Sequence, residues 1–324
     1  MKKETKIILA AAGIAAVTGA VTATVLSAVK VLSDTAIKKD VPKVMKPFKV
    51  KISGSSAPDK MLMDAANRKA DELKERADEK VTIKNRDDIK LTGHILRHPE
   101  PERIIIAMHG WRSHWSFDFS LIAPFLYDEK STILFPDQRA HGESEGDHIG
   151  FGVFERNDCI DWLGYALENA PEDIPIYLCG VSMGATTVLM ASELDLPDRV
   201  KGIISDCGFT SPKDIWQHVM NENLKIKSKL ALNIADFYIS REAKMDTKTV
   251  STVTAVSNTK TPILFVHGDA DSFVPVDMTY RNYEACASEK QLLIVPGADH
   301  GLSYFNDAPT YKQVVREFFK KYDK

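Results

Sequence analysis

From residue 81 onward, short apolar runs rich in β-branched residues alternate with longer stretches of helical period. The runs are "VTIKN", "LTGHILRH", "RIIIAMHG", "STILFPD", "IYLCGVS", "VKGIISDC", "PILFVHG" and "QLLIVPGA". Each is bounded by turn residues and reads as a strand. The first two are too close together to enclose a helix and predict a hairpin, whereas the later ones are spaced for strand-helix-strand units. The pattern predicts an α/β fold: an eight-stranded, mostly parallel sheet with flanking helices. In such sheets ligands bind beyond the carboxyl ends of the strands, so the residues directly after each run are where chemistry is to be sought.

The N-terminal quarter has a different character. After "MKKETK" the stretch Ile7 to Val29 holds no charge. At about 1.5 Å per residue it is long enough to cross a bilayer core, as a membrane anchor or a signal segment. "VTA" at 21–23 is a candidate cleavage site. Lysines dominate the segment that follows, which by positive charge alone points to a cytoplasmic face. A Lys-Lys start before an apolar run is how exported bacterial chains begin, and the expectation is an extracytoplasmic domain tethered by its N-terminus. Secretion after cleavage and a cytoplasmic face are the alternatives. Residues 34 to about 58 hold three prolines and an "SGSS" stretch, which reads as a linker. In 59–80, Leu62, Ala66, Ala70, Leu73 and Ala77 recur at steps of three and four, predicting a helix with one narrow apolar stripe for the domain's edge. The predicted organisation is an anchor or signal over 1–33, a basic linker and edge helix over 34–80, and a catalytic domain over 81–324.

Composition narrows the function classes. A net charge of −3 gives no overall basic field for nucleic acid. The four cysteines lie far apart and read as buried free thiols rather than a zinc or redox motif. The nine histidines and the acids do not cluster at metal-ligand spacings, so no metal or cofactor is expected.

One stretch carries chemistry. "CGVSMGA", 179–185, sets Ser182 between Gly180 and Gly184 where the fifth run meets a helical stretch. A strand-turn-helix context is what gives a Gly-x-Ser-x-Gly match meaning, since a tight turn leaves room only for glycine beside the serine. A serine hydroxyl needs a histidine to take its proton and a carboxylate to orient that histidine. After the seventh run comes "VHGDADSFVP" and after the eighth "VPGADHGLSY", so Asp271 and His300 fall at adjacent strand ends, in the order Ser, Asp, His.

These motifs, together with "HGW" at 109–111 and "PDQRAHGESEG" at 136–146, resemble the α/β-hydrolase superfamily over nearly all of 81–324. "IGFG" with "ERND" at 149–158 and "SDCGF" at 205–209 are similar to bacterial membrane-anchored hydrolases near the serine aminopeptidase and acyl-thioesterase-like branches. The resemblance implies Ser182 as nucleophile, His300 as general base and then acid, and Asp271 as orienting carboxylate. It implies an oxyanion hole from the backbone N–H groups of Trp111 and Met183. Asp271 is preferred to Asp269 because the family's acid sits three residues after the glycine of "HGD", and Asp299 would have to turn back on its own neighbour. His267, His109 and His141 are expected to brace loops, with Asp137 and Arg139 pairing across theirs.

Between "SDCGF" and "PILFVHG" lie more residues than a plain connection needs, predicting a small helical cap over about 210–258. Trp216, Met220, Phe237 and Tyr238 are candidates to form an apolar chamber with Trp111, Trp115 and Phe117. The expected activity is acyl hydrolysis, an ester first, with a small-molecule acyl ester or short peptide as substrate. A peptidase holding a free amine through Glu155 or cap acids, an acyl thioesterase or acyltransferase, and a non-catalytic binding module are the rivals. A dehalogenase is excluded because its elbow carries aspartate.

Overall fold

The computed structural model describes residues 26–42, 60–77 and 79–323. A helix, α1, runs over 26–37, and α2(Lys60–Arg76) follows. The sheet contains β1(Glu79–Lys84), β2(Lys90–Leu96), β3(Arg103–Met108), β4(Ser131–Pro136), β5(Ile176–Val181), β6(Val200–Asp206), β7(Ile263–Gly268) and β8(Lys290–Val295). Its order is β1-β2-β4-β3-β5-β6-β7-β8. The β1–β2 hairpin is antiparallel, β2 is also antiparallel to β4, and the remaining pairs are parallel. All eight predicted runs are strands.

Helices, α4(Ala123–Asp128) and α5(Glu155–Asn169) among them, cover both faces, which is why β3, β4 and β7 are buried at every position. At the edge, β1 alternates between partial and full exposure, with Lys80 and Lys84 at exposed positions, the kind of charge that disfavours pairing of an edge strand with another chain. The central helix α6(Met183–Ala191) is buried all round, which fits its unbroken run of small and apolar residues. The stripe read in 59–80 lies on α2, where Ala66, Ala70 and Leu73 are buried, with Ala77 directly after. α2 packs against the short helix α3(Trp115–Asp118).

The cap is α7(Pro212–His218), a π-helical turn Val219–Asn223 and α8(Lys229–Glu242). Each of its helices starts on a serine whose hydroxyl accepts a backbone N–H: Ser211 from Asp214 and Ser228 from Ala231. α9(Thr252–Asn258) is not part of the cap, because it packs on α6 and α10(Asp277–Ala285). α11(Ser303–Asn306) and α12(Ala308–Tyr322) close the chain.

The linker reading fails at its start. Residues 34–37 continue α1, with Asp34 and Ile37 buried against the domain. Most of the predicted anchor, 7–25, lies outside the described residues. Among the described residues no helix is long and apolar enough to cross a membrane.

Candidate active site

Ser182 sits between β5 and α6 with φ 56° and ψ −117°, a left-handed conformation that costs a non-glycine residue about 1–3 kcal/mol. The surroundings enforce it. A Cβ at Gly180 would lie 2.2 Å from the Gly184 backbone, and one at Gly184 would lie 1.9 Å from Met108 O. The Ser182 N–H donates to Asp206 O at 2.8 Å, tying the turn to the end of β6. The turn therefore holds the hydroxyl above the carboxyl edge of the sheet.

The loops after β7 and β8 bring Asp271 and His300 to the same edge. His300 Nε2 lies 2.9 Å from Ser182 Oγ, and His300 Nδ1 lies 2.7 Å from Asp271 Oδ2. A carboxylate only accepts, so in the neutral ring Nδ1 carries the proton and Nε2 is left to accept from the serine hydroxyl. The Phe273 and Val274 N–H groups donate to Asp271 Oδ1 at 2.9 and 2.8 Å. Burial pushes the Asp271 carboxyl up, but the His300 imidazole and the hydrogen bonds from His267 and His300 outweigh it. The carboxyl is held below the ordinary carboxylate range.

For His300, burial disfavours the charged ring, and Cys207 and Asp271 outweigh that effect and raise its pKa well above 6.5. The Cys207 thiol is itself pushed up to about 11 by burial, so near neutral pH the carboxylate is the partner that carries charge. Cys207, Asp271 and His300 are also the one group of metal-donor atoms close together among the described residues. Both ring nitrogens of His300 are already engaged with Ser182 and Asp271.

Two backbone segments flank the serine. Met183 opens α6, where the first N–H groups have no intrahelical acceptor. On the other side, a Cβ at Gly110 would lie 3.4 Å from Ser182 Cβ, so the loop from β3 that leads into Trp111 passes close to the hydroxyl. The Gly110 N–H is held by Asp118 Oδ2 at 2.6 Å.

Ser182 faces a pocket whose other described lining residues are apolar or hydroxylic, with Trp111, Phe151, Phe209, Trp216, Met220 and Phe273 among them. Several of the aromatics predicted for this chamber go elsewhere. Trp115 stacks on Phe135 and His94, Phe117 lies beside His114, Phe237 is 64% exposed, and the Tyr238 hydroxyl donates to Asp34. Phe151 and Phe209 belong to the "IGFG" and "SDCGF" stretches, which were legible as motifs but not as pocket walls.

The histidines and acids near the site divide by contact. Asp269 accepts from the Gly297 N–H at 2.6 Å, and Asp299 from the Ser272 and His300 N–H groups at 3.1 and 2.9 Å. His109 accepts from the Gln138 N–H at 3.1 Å, and His141 from the Arg112 N–H at 2.9 Å. Burial pushes the His141 ring down to about 3, so it stays neutral. Asp137 and Arg139 do not pair. Arg139 bonds Asp158 at 2.6 Å and Asp87 at 2.8 Å, while Asp137 accepts from the Glu143 N–H and faces His94. Glu155 is fully buried and accepts from the Gly150 and Gly152 N–H groups at 2.7 and 2.9 Å, so it is not free to meet a substrate amine.

The serine aminopeptidase S33 family model matches residues 99–256, just under half of the chain, and so ends before Asp271 and His300. The esterase Pf2001 of Pyrococcus furiosus superposes with a TM-score of 0.60 at 23% identity, covering 76% of this chain and 93% of that one. The chain has the α/β-hydrolase fold, and over residues 99–256 its sequence is similar to a family of such hydrolases. The fold is also similar to that of the acylaminoacyl peptidase of Pyrococcus horikoshii, with a TM-score of 0.56 at 18% identity over 76% of this chain and 41% of that one. In sequence, the chain is 28% identical over 225 residues to the uncharacterized protein YqkD of Bacillus subtilis, covering 69% of this chain and 73% of the relative.

Proposed function

We propose that this α/β hydrolase cleaves carboxylic esters through an acyl-enzyme formed on Ser182. The observation that carries the reading is the pair of contacts from one imidazole: His300 Nε2 at 2.9 Å from Ser182 Oγ and Nδ1 at 2.7 Å from Asp271 Oδ2. As Ser182 Oγ attacks the ester carbonyl carbon, its proton passes to His300 Nε2, and Asp271 stabilises the imidazolium that forms. The carbonyl oxygen becomes an oxyanion beside the Trp111 and Met183 N–H groups. Collapse breaks the bond to the leaving alcohol, which takes the proton from His300. Water then attacks the acyl-serine, giving its proton to His300. The carboxylic acid departs as Oγ is reprotonated.

An ester is favoured over a peptide because no carboxylate lines the pocket among the described residues, so a free N-terminal amine has no charged partner there. The apolar lining suits an acyl chain. Tethering through the apolar stretch that precedes α1, with the domain outside the cytoplasm, completes the proposal. Protease accessibility in intact cells tests that part, and protection of residues beyond 34 overturns it.

The activity is tested with a fluorophosphonate probe on the parent, Ser182→Ala and His300→Ala, followed by matched ester, thioester and aminoacyl substrates. Labelling of the parent alone with fastest turnover of the ester supports the reading. Aminoacyl turnover exceeding the ester transfers the assignment to a peptidase, thioester preference to a thioesterase, and a folded parent that does not label removes the activated serine.

A further inference from the structure

The pocket over Ser182 is not built by the catalytic domain and cap alone. Val29, Leu32, Ser33, Thr35 and Ala36 of α1 line it together with Ser182. Ile215 and Trp216 of α7 and Ile239 of α8 line it as well. A stretch that reads as the end of a leader is thus one side of the cavity that receives substrate.

The C-terminal end of α1 is held by the residues that flank the serine. The last carbonyls of a helix have no intrahelical donors and carry the negative end of its dipole, so a buried cation there is favourable. Trp111 Nε1 donates to Ala36 O at 2.9 Å. The Arg112 guanidinium donates to Thr35 O at 3.0 and 2.6 Å, to Lys38 O, and to Lys39 O at 3.2 Å. No carboxylate is bonded to this guanidinium among the described residues, and burial pushes its pKa down to about 10. It remains charged at neutral pH, with carbonyls as its partners. Arg112 itself has φ 52°, and His141 accepts its N–H at 2.9 Å. The chain after α1 then pairs with the loop leading to Phe151: the Ile149 N–H donates to Ile37 O and the Lys39 N–H to Asp147 O at 2.9 Å. Toward the cap, Asp34 accepts from the Tyr238 hydroxyl at 2.7 Å, and Lys38 meets Glu242 at 2.7 Å.

We infer that α1 is part of the substrate site, with Val29, Leu32 and Ala36 forming the wall that sets acyl-chain length, and that Arg112 is a positioning residue clasping this wall to the loop that carries the Trp111 N–H. The inference rests on the serine-hydrolase reading for its chemistry, but the wall is a binding surface whatever reaction follows. One dipeptide, Trp111-Arg112, both holds the wall and presents the oxyanion donor, so loosening the wall also disorders the donor. Cleavage after the candidate site at 21–23 leaves the wall on the mature chain, as an uncleaved anchor does.

The test uses the full chain and two readouts. The first is kcat/KM across p-nitrophenyl esters of increasing acyl length for the parent, Leu32→Ala, Leu32→Trp and Leu26→Ala, the last as an exposed control on the same helix. Leu32→Trp is expected to move the optimum at least two carbons shorter and to cut turnover of the longest esters tenfold or more. Leu32→Ala is expected to move it longer, and the control to leave it in place. The second readout is binding of a fluorescent fatty acid in a Ser182→Ala background, which needs no catalysis. Leu32→Trp is expected to weaken that binding at least tenfold. Arg112→Met is expected to lower kcat tenfold or more at every chain length, with partial recovery in Arg112→Lys. An unchanged length profile and unchanged fatty-acid binding in both Leu32 variants overturn the wall. An unchanged kcat in Arg112→Met overturns the clasp. Absence of ester turnover in a parent whose fatty-acid binding still depends on Leu32 overturns the hydrolase reading and leaves the wall standing.

Discussion

His267 Nε2 lies 3.1 Å from Asp271 Oδ2, the same oxygen that meets His300 Nδ1 at 2.7 Å. That nitrogen also lies 2.9 Å from Val274 O, while Nδ1 lies 2.6 Å from Thr279 Oγ1. Two acceptors at Nε2 place its proton there and make His267 a donor to the carboxylate, with the Thr279 hydroxyl donating to Nδ1. His267→Leu is expected to lower kcat by about tenfold or more, since a hydrogen bond to a charged group contributes about 1.5–3 kcal/mol. With one donor fewer, Asp271 holds the His300 proton more strongly, so the rising limb of kcat against pH is expected to move upward. A pH-rate profile checks this, and an unmoved limb makes His267 a brace for the loop alone.

Asp271→Asn moves the limb the other way. Asp271, with Cys207, raises the His300 pKa, so the rising limb of activity in the parent is expected above the pH at which a free imidazole would place it. Without the carboxylate the limb falls to lower pH, while the rate drops by about 10⁴-fold through loss of the orienting partner. Stability carries a matching signature. The depressed Asp271 carboxyl contributes stability above its ordinary value of 3.8 that is lost as pH falls through its folded value. Melting temperature measured against pH is expected to show a shallower acid fall in Asp271→Asn than in the parent.

Ser182→Gly is expected to abolish labelling and to stabilise the fold. Glycine tolerates φ 56° and removes about 1–3 kcal/mol of strain, of which about 0.4–1 kcal/mol is offset by the freer unfolded chain. A net gain of about 1 kcal/mol raises Tm by about 2–4 °C in a domain of this size. Calorimetry on the two proteins decides it, and a Tm below the parent's contradicts strain at the elbow.

The Arg139–Asp158 pair is buried, at 2.6 Å, with Asn85 Nδ2 donating to the same carboxylate at 2.6 Å. Asp158→Ala leaves a buried guanidinium with only the more exposed Asp87, and is expected to cost about 3–5 kcal/mol. Urea unfolding measures the loss. A change under 1 kcal/mol would mean that Asp87 alone satisfies Arg139.

Much of this architecture is legible in local pattern. Strands have a short period and the chain marks their ends with turn residues, so the eight runs and the β1–β2 hairpin follow from the sequence. Ser182, Asp271 and His300 stand directly after strand runs, and a parallel sheet brings the ends of its strands to one edge. That geometric fact makes their convergence readable without knowing a single contact. The stripe of Ala66, Ala70 and Leu73 is readable for the same reason, being a period within one element.

Contacts between elements distant in the chain are a different matter, because no local period records them. Val29, Leu32 and Ala36 look like the tail of an apolar leader until Trp111 and Arg112, some 75 residues away, take hold of the α1 carbonyls. Glu155 looks like an acid free at a helix start, and becomes a buried acceptor only when the Gly150–Gly152 loop folds over it. Phe237 and Trp216 both look like pocket aromatics, yet the packing direction of their helices leaves one in water and the other against the pocket. By itself the sequence determined which residues meet at the sheet edge, since strand order and motif position are local properties. Tertiary structure alone decided what walls the pocket, because burial and hydrogen-bond satisfaction depend on which surfaces finally close on one another.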